Sequence, residues 1–348
     1  MEEKINIAIG IDTSNYTTSA AAVTEDGTIL ADVRRLLRVA PGQRGLRQSE
    51  ALFQHTANLP EIMEELARSI RAQEAGQQKK YHICAVAVSS RPRPAEGAYM
   101  PVFLAGVSAG RSAAALLGVP CYEFSHQEGH IAAVCGQNDS NRRFLSFHLS
   151  GGTGEILTVQ GCMPCRIAGG ILDLSFGQVL DRVGVAAGLQ FPAGAQLDRI
   201  ACSGRDLVSV HFSRKGRLQI EGGVLAPVKV KGSFANLSGI ETQAVAALQS
   251  GVPLEKLIAE LFYRLSEALV QMTASAAADE NLDTVVFAGG VSASSFLREE
   301  LSRRLEKKGI HTAFGAPELS SDNGCGTAIL GMDRWLREKE QSAGGRSV

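Results

Sequence analysis

The 348-residue sequence lacks several features that identify common classes of protein. Its seven cysteines are odd in number and scattered along the chain, so they indicate a reducing cytoplasm rather than a disulfide framework. No basic segment followed by an apolar run opens the chain, and no apolar run reaches about 18 residues, so we expect neither a secretory leader nor a membrane span. The formal net charge of −1 excludes a global positive field that would attract nucleic acid, but it permits a local basic patch.

Hydrophobic residues make up 45% of the chain, which is sufficient for a sizeable core. Because single domains usually contain about 100–200 residues, the length predicts two lobes. We place the first lobe at residues 1–140 and the second at 141–333, followed by a polar tail at 334–348 whose last ten residues we expect to be disordered. Within the first lobe, residues 49–73 have helical periodicity, and we expect Pro60 to break or kink this helix.

Glycine-rich turns follow predicted strands at residues 10–15, 150–154 and 289–292. Turns of this kind leave backbone N–H groups free to bind an anion, because no side chain blocks its approach. None of them carries the phosphate-loop lysine or the dinucleotide fingerprint, so we predict another kind of nucleotide site, between two lobes. The strand, turn and returning strand at residues 5–23 recur at 144–159, which predicts an internal duplication.

Two histidines, His126 and His130, are spaced four residues apart. In a helix both imidazoles would lie on one face, one turn apart, which suits two nitrogens that bind one divalent metal. Glu128 would point elsewhere. The spacing alone is a weak signal and is more often that of two ordinary surface or core histidines. Cys162 and Cys165 could form half a zinc site or a redox pair, but no second pair occurs, so we interpret them as structural thiols.

Four aspartates, Asp12, Asp181, Asp198 and Asp322, stand at the ends of predicted elements. Beside a phosphate, an aspartate either holds a metal or accepts hydrogen bonds from ribose hydroxyls. A helix cap or a turn remains the simpler interpretation for each one alone. No Ser/His/Asp or Cys/His set has support of its own, and the histidine pair lacks the glutamate placement of zinc proteases, so a protease is disfavoured.

Several short motifs occur in a specific order along residues 5–332. They are the histidine pair at 126–132, Leu-Ser-Gly-Gly-Thr at 149–153, and the segments 177–182, 191–195, 237–242, 289–294 and 321–324. This ordered set resembles the universal threonylcarbamoyltransferase family, which modifies adenosine in tRNA and was once labelled a sialoglycoprotein endopeptidase.

The resemblance implies an α/β fold of the actin/Hsp70-like (ASKHA) class, with two duplicated mixed-sheet lobes and a nucleotide in the cleft between them. It implies one iron or zinc ion held by His126, His130 and Asp322, and catalytic roles for Asp12 and Ser14. The implied contacts to ATP or threonylcarbamoyl-adenylate come from Ser150, Gly151, Gly152, Thr153, Asp181, Gly194, Asp198, Gly290 and Ser294.

The activity implied is the transfer of threonylcarbamoyl from its adenylate to adenosine in tRNA. The implied assembly is a complex with protein partners of tRNA modification, or a homodimer. The sequence departs from the family in its first loop, where two acidic residues are replaced by Tyr16 and Thr17. The family histidine after Gly152 is absent, and Gln178 replaces a glutamate. These departures leave two alternatives: a carbamoyltransferase with an acceptor other than tRNA, or a nucleotide-binding regulatory paralogue without transfer activity.

Overall fold

The first of two mixed sheets contains the strands from the beginning of the chain. A computed structural model describes residues 4–14, 16–40, 45–77, 79–135, 143–161, 163–213, 217–320 and 322–344. The strands of the first sheet are β1 (Lys4–Asp12), β2 (Thr17–Thr24), β3 (Ile29–Leu36), β4 (Lys80–Arg91) and β5 (Cys121–Ser125). Their order is β3-β2-β1-β4-β5, in which β1, β2 and β3 are antiparallel and β4 and β5 continue the sheet in parallel with β1.

The second sheet has seven strands. The remaining strands of the chain are β6 (Arg143–Leu149), β7 (Gly154–Gln160), β8 (Met163–Ile171), β9 (Val210–Phe212), β10 (Leu218–Ile220), β11 (Val230–Lys231), β12 (Phe234–Ala235), β13 (Thr284–Ala288) and β14 (His311–Phe314). The order in the second sheet is β11-β12-β8-β7-β6-β13-β14, and β9 pairs with β10 in a separate hairpin.

The two sheets share one topology. The run β8-β7-β6-β13-β14 repeats the order of the first sheet, with an antiparallel meander followed by two parallel strands. This repetition confirms the predicted duplication and the two-lobed α/β architecture.

Helices cover both sheets. Their bounds are α1 (Gln48–Gln77), α2 (Phe103–Leu117), α3 (His126–Cys135), α4 (Phe176–Ala186), α5 (Gly194–Ser203), α6 (Ser238–Gln249), α7 (Leu254–Glu280), α8 (Ser295–Glu306), α9 (Pro317–Ser320) and α10 (Cys325–Gly344). Short 3₁₀ turns lie at Arg205–Leu207 and Gly290–Ala293.

Residue size alternates along β1 and determines which helices each face of the first sheet can accept. Ile7, Ile9 and Ile11 pack with the buried side chains of α1 and α2. The alternate residues Ala8 and Gly10 face α10, which contacts β1, β2 and β4. Because side chains alternate between the faces of a strand, this pattern places large residues under α1 and small ones under α10. The last helix of the chain is therefore part of the first lobe.

In the second lobe, α7 is almost completely buried. Its apolar side chains join those of β6, α4 and α8 in the largest core cluster of the described residues. The alternate residues Leu145, Phe147 and Leu149 of β6 point into this core. The residues between them, including His148, therefore point to the opposite face, where α3 lies.

Two local expectations need correction. The expected break at Pro60 is wrong, because α1 continues to Gln77, and the alternative of a kink stays a prediction. Pro60 is exposed, so the carbonyl group that loses its helical partner can bind water instead. Residues 339–344, expected to be disordered, belong to α10.

Three further expectations concern residues outside the described part of the chain. These are the boundary between residues 140 and 141, Cys162, and the terminal residues 345–348.

The start of α10, expected to lie in the second lobe, packs on the first sheet. None of the helices in the described ranges is long and apolar enough to cross a membrane.

Candidate metal centre and nucleotide site

Helix α3 begins at His126 because a capping box precedes it. The hydroxyl of Ser125 accepts a hydrogen bond from the backbone N–H of Glu128 at 3.2 Å, and the carboxylate of Glu128 accepts one from the N–H of Ser125 at 2.6 Å. This box places His126 in the first turn and His130 one turn later, on the same face. The predicted helical pair is confirmed, and Glu128 serves as a cap away from the two imidazoles.

A close approach between α3 and α10 brings Asp322 to the histidines. A side-chain carbon built on Gly326 would lie 1.8 Å from the carbonyl oxygen of Gly129, and one built on Gly10 would lie 2.2 Å from the carbonyl oxygen of Gly324. Only glycine permits backbones to pack at these distances. The N-terminal end of α10 is thereby seated against both β1 and α3, and Asp322 lies three residues before that helix begins.

His126, His130 and Asp322 converge on one point. The Nε2 atoms of the two histidines are 3.0 Å apart, and Oδ1 of Asp322 lies 3.5 Å from the first and 3.4 Å from the second. An ion with tetrahedral bonds of about 2.1 Å to such ligands holds them about 3.4 Å apart. The three side chains are also the one cluster of potential metal ligands found among the described residues. Their geometry therefore fits a divalent ion.

Asp12 lies behind His126. Its carboxylate accepts a hydrogen bond from Nδ1 of the imidazole at 3.1 Å and further hydrogen bonds from the hydroxyls of Ser14 and Ser89. With Nδ1 acting as a donor to Asp12, Nε2 is the nitrogen left to bind a metal once its own proton is displaced. Asp12 and Ser14 are fully buried, so their observed contacts orient the histidine, and the catalytic roles expected for them stay a prediction.

The charges in the cluster are coupled. Burial lowers the pKa of His126, but Asp12 and Asp322 outweigh burial and raise that pKa to about 10. Burial and the adjacent His126 lower the pKa of His130. Burial raises the pKa of Asp322, but the two histidines outweigh it and hold this pKa well below its ordinary value. In metal-free protein His126 is therefore protonated, and a metal would have to displace that proton.

A third imidazole, His148 at the end of β6, adjoins the cluster and was missed by sequence reasoning. Its ring centroid lies 4.8 Å from that of His130 and 6.3 Å from that of His126. Both of its nitrogens are buried without a hydrogen-bond partner among the described residues, and burial lowers its pKa well below the ordinary value. A lone histidine within an apolar strand, directly before the Leu-Ser-Gly-Gly motif, was the signal available in the sequence.

The predicted glycine turn after β6 forms a compact loop against α4. The hydroxyl of Ser150 accepts hydrogen bonds from the N–H groups of Gly152 and Thr153, and the hydroxyl of Ser175 donates to the carbonyl of Gly151. Ser175 and Gln178 form the capping box of α4. Gln178, which departs from the family pattern, therefore has a structural role. The loop lies at the N-terminal end of a helix, which is a favourable position for a phosphate.

Three glycines predicted to contact the nucleotide face open space. A side-chain carbon built on Gly152, Gly194 or Gly290 would meet nothing within 4 Å. Bare backbone beside open space is what a close-fitting ligand requires.

Two of the predicted aspartates bind the protein itself. Asp181 accepts a hydrogen bond from the N–H of Ala193 at 2.8 Å and so fixes the segment before α5. Both carboxylate oxygens of Asp198 accept hydrogen bonds at the start of α8, from the hydroxyl of Ser294 and from the N–H groups of Ser295 and Phe296. Asp198 thus joins α5 to α8, and Ser294 is the N-cap of α8.

Comparison with solved structures identifies the class of fold. T. kodakarensis HypF superposes with a TM-score of 0.60 at 14% identity, covering 97% of this chain and 48% of that protein. Component A of the (R)-2-hydroxyglutaryl-CoA dehydratase of Acidaminococcus fermentans superposes with a TM-score of 0.52 at 11% identity. The superposition covers 95% of this chain and 99% of that protein. At these identities the likeness concerns the fold alone, and it confirms an α/β protein of the actin/Hsp70-like class.

Sequence comparison identifies the family. The profile of TsaD, the tRNA N6-adenosine threonylcarbamoyltransferase, matches residues 35–329. The protein of that name from Geobacter sulfurreducens is 29% identical over 342 residues, which are 96% of this chain and 93% of its own length. The one from Prochlorococcus marinus is 34% identical over 266 residues, which are 74% of this chain and 70% of its own length. The chain therefore belongs to the tRNA N6-adenosine threonylcarbamoyltransferase family.

Proposed function

We propose that this protein transfers a threonylcarbamoyl group from its adenylate to an adenosine in tRNA, with the help of one divalent metal ion, iron or zinc. The observation that carries the proposal is the convergence of two imidazole nitrogens and a carboxylate oxygen at separations of 3.0, 3.4 and 3.5 Å. An ion held by these residues would supply a Lewis acid able to stabilise the negative charge that develops during acyl transfer. Two imidazoles and one carboxylate leave other coordination positions open, as a catalytic site requires.

The residues of the chain bind and orient the donor. The backbone of Gly151 and Gly152, with the hydroxyls of Ser150 and Thr153, would hold the phosphate at the N-terminal end of α4. Gly194 and Gly290 would allow the adenosine to approach the backbone closely. Asp181, Asp198 and Ser294 shape the adenosine side through the hydrogen bonds that fix α5 and α8. Asp12 keeps His126 in the tautomer that binds a metal.

In the proposed organisation, residues 1–140 supply the metal-binding histidines and residues 141–333 the nucleotide loops. The carboxylate of Asp322 reaches the histidines because α10 returns to the first sheet. We further propose that the protein works in a complex with other tRNA-modification proteins or as a homodimer.

The experiment measures bound metal and tRNA modification in the same preparations. We expect about one divalent ion per chain, and modified adenosine when the enzyme that makes the adenylate is supplied. His130→Ala should abolish both signals. His211→Ala is the matched control, because the side chain of His211 is 62% exposed and lies on the β9–β10 hairpin. Wild-type protein without metal under conditions that load relatives would contradict the proposal.

A second candidate function follows from the first loop. Tyr16 carries a phenol and Thr17 is buried, so Asp12 is the one carboxylate among the described residues 12–14 and 16–18. Because Asp12 is engaged by His126, this loop has no free acid to accept a proton from an attacking amine. This arrangement favours a nucleotide-binding regulatory paralogue, or a carbamoyltransferase with another acceptor. Robust tRNA modification by the wild-type protein would exclude both alternatives.

A further inference from the structure

An aromatic pair connects the two lobes at the first loop. Tyr16 follows β1, in the first lobe, and Phe191 precedes α5, in the second. Their ring centroids are 5.1 Å apart, with an interplanar angle of 67°, so they pack edge to face. Such pairs contribute through both apolar contact and the attraction of a ring edge to a ring face. Both rings are only partly buried, so part of their surface is accessible.

Both rings are held in place by the backbone around them. The backbone N–H of Leu46 donates a hydrogen bond to the hydroxyl of Tyr16. Gly45 makes room for that hydroxyl, because a side-chain carbon at this position would lie 2.6 Å from the oxygen. Phe191 belongs to the segment that Asp181 fixes through Ala193. A ring that is already immobile loses little conformational entropy when it binds a flat ligand.

The pair lies between the metal centre and the nucleotide side of the cleft. Ser14, two residues before Tyr16, donates to Asp12, which accepts from His126. Phe191 lies two residues before Ala193, which donates to Asp181. Burial raises the pKa of Tyr16, so the phenol is neutral. Every other side chain described for residues 12–18 is buried. Among the described residues of this loop, Tyr16 is therefore the group presented to a ligand, and its ring is apolar and flat.

We propose that Tyr16 and Phe191 bind the acceptor adenine by stacking beside the metal centre, and so position its exocyclic amine for transfer. Proteins that act on single bases hold them against aromatic side chains, because every base has a flat face that stacks on a ring. Arg47 is exposed and follows Leu46 directly, so this segment carries a cation available to the RNA backbone. This inference rests on the proposed function, in which the acceptor is an adenine of tRNA.

The test uses the full-length protein and a hairpin RNA in which 2-aminopurine replaces one loop adenine. Stacking quenches the fluorescence of this base, and fluorescence anisotropy measures RNA binding independently. We expect quenching with wild-type protein and with Tyr16→Phe, which keeps the ring. Tyr16→Leu and Phe191→Leu should remove the quenching and weaken binding of this RNA about tenfold. Phe212→Leu is the matched control, because Phe212 is 44% exposed and lies on the β9–β10 hairpin, against Arg303 of α8.

The outcomes separate the stacking proposal from the proposed function. Tight RNA binding with equal quenching by Tyr16→Leu, Phe191→Leu and the wild type would overturn stacking and leave the tRNA acceptor intact. A wild-type protein that binds metal and an ATP analogue but no RNA would overturn both. If Tyr16→Leu loses affinity for the ATP analogue while quenching persists, the ring serves the donor nucleotide, which also overturns the proposal. Thermal unfolding of each variant, with Phe191→Leu as the second test of the pair, identifies effects of misfolding.

Discussion

Asp12 accepts a hydrogen bond from Nδ1 of His126 at 3.1 Å, across the junction between β1 and α3. A carboxylate in this position fixes the tautomer and raises the basicity of a metal-binding imidazole. We therefore expect Asp12→Asn to weaken metal binding by about 10- to 100-fold while the three ligands remain in place. Competition with a chromophoric chelator measures this affinity. Asp206→Asn, at an exposed position, is the control, and equal affinities would mean that Asp12 does not tune the centre.

Metal binding should release protons. In metal-free protein, Asp12 and Asp322 outweigh burial and raise the pKa of His126 to about 10, so this imidazole is charged at pH 8. We expect about one proton to be released from the centre for each ion bound at pH 8, and affinity to increase with pH up to about 10. Calorimetry in buffers with different ionisation enthalpies measures the release. Binding without proton release would contradict the assigned charge state.

The same pKa predicts how metal-free protein responds to alkali. The folded pKa of His126, about 10, lies above the ordinary value of 6.5 for an imidazole. A raised pKa means that the charged imidazole stabilises the fold fully below about pH 6.5 and that this contribution is lost as the pH rises through about 10. We therefore expect the free energy of unfolding of metal-free protein to fall between pH 7 and 10 by more in the wild type than in His126→Gln. Equal slopes in urea titrations would contradict this expectation.

The close contact between α3 and α10 should not tolerate a methyl group. Because a carbon at position 326 would meet the carbonyl oxygen of Gly129 at 1.8 Å, Gly326→Ala must separate the two helices. We expect it to cost about 3 kcal/mol of unfolding free energy and to abolish metal binding, because Asp322 moves with α10. Gly76→Ala, in α1 with nothing within 4 Å, should instead be neutral or stabilise by up to about 1 kcal/mol. Urea unfolding compares the two variants, and similar effects would show that the helix contact is not tight.

The sequence was sufficient for the fold class and for the pairing of the two histidines because both depend on local patterns. The strand–turn–strand repeat predicts the duplicated sheets, and a four-residue spacing places His126 and His130 on one face. The position of Asp322 depended on a family motif rather than on periodicity. The approach of Asp322 requires Gly324 to pack directly on Gly10 of β1. A contact between residues so far apart in the chain has no local signature.

Other features depended on contacts that a single sequence does not specify. The hydrogen bond that Asp12 accepts from Nδ1 of His126 joins residues more than one hundred positions apart. The loss of a family glutamate at Gln178 read as a functional change, yet Gln178 completes the capping box of α4. Pro60 read as a helix breaker, yet its exposed position lets α1 continue. The roles of Asp12 and Pro60 thus depend on their surroundings in the fold, whereas the capping box of Ser175 and Gln178 is a local pattern that the sequence already contains.

Asp198 should stabilise the fold without any nucleotide. Its two carboxylate oxygens accept three hydrogen bonds at the start of α8, which is the role of a helix N-cap reached from another helix. We expect Asp198→Ala to lower the free energy of unfolding of ligand-free protein by about 1–2 kcal/mol. Asp279→Ala, at an exposed position in the last turn of α7, should have little effect. If unfolding without nucleotide is unchanged in Asp198→Ala, the residue serves the ligand alone.

His148 should make metal-free protein less stable than it could be. Both of its buried nitrogens lack a hydrogen-bond partner within the described part of the chain, and such groups cost free energy because they have lost water. Replacement by leucine, which is of similar size, removes both polar atoms, so we expect His148→Leu to raise the unfolding free energy of metal-free protein by about 1 kcal/mol. His211→Leu, at an exposed position, should give no such gain.

The same variant should lose function at the metal centre. The ring of His148 lies 4.8 Å from that of His130, so its removal changes the polarity and hydrogen bonding around any bound ion. We expect a changed absorption spectrum for Co²⁺-substituted His148→Leu and weaker metal binding. A stability gain combined with a functional loss is typical of a buried polar group retained for its site. Marked destabilisation with an unchanged cobalt spectrum would instead assign His148 to the core.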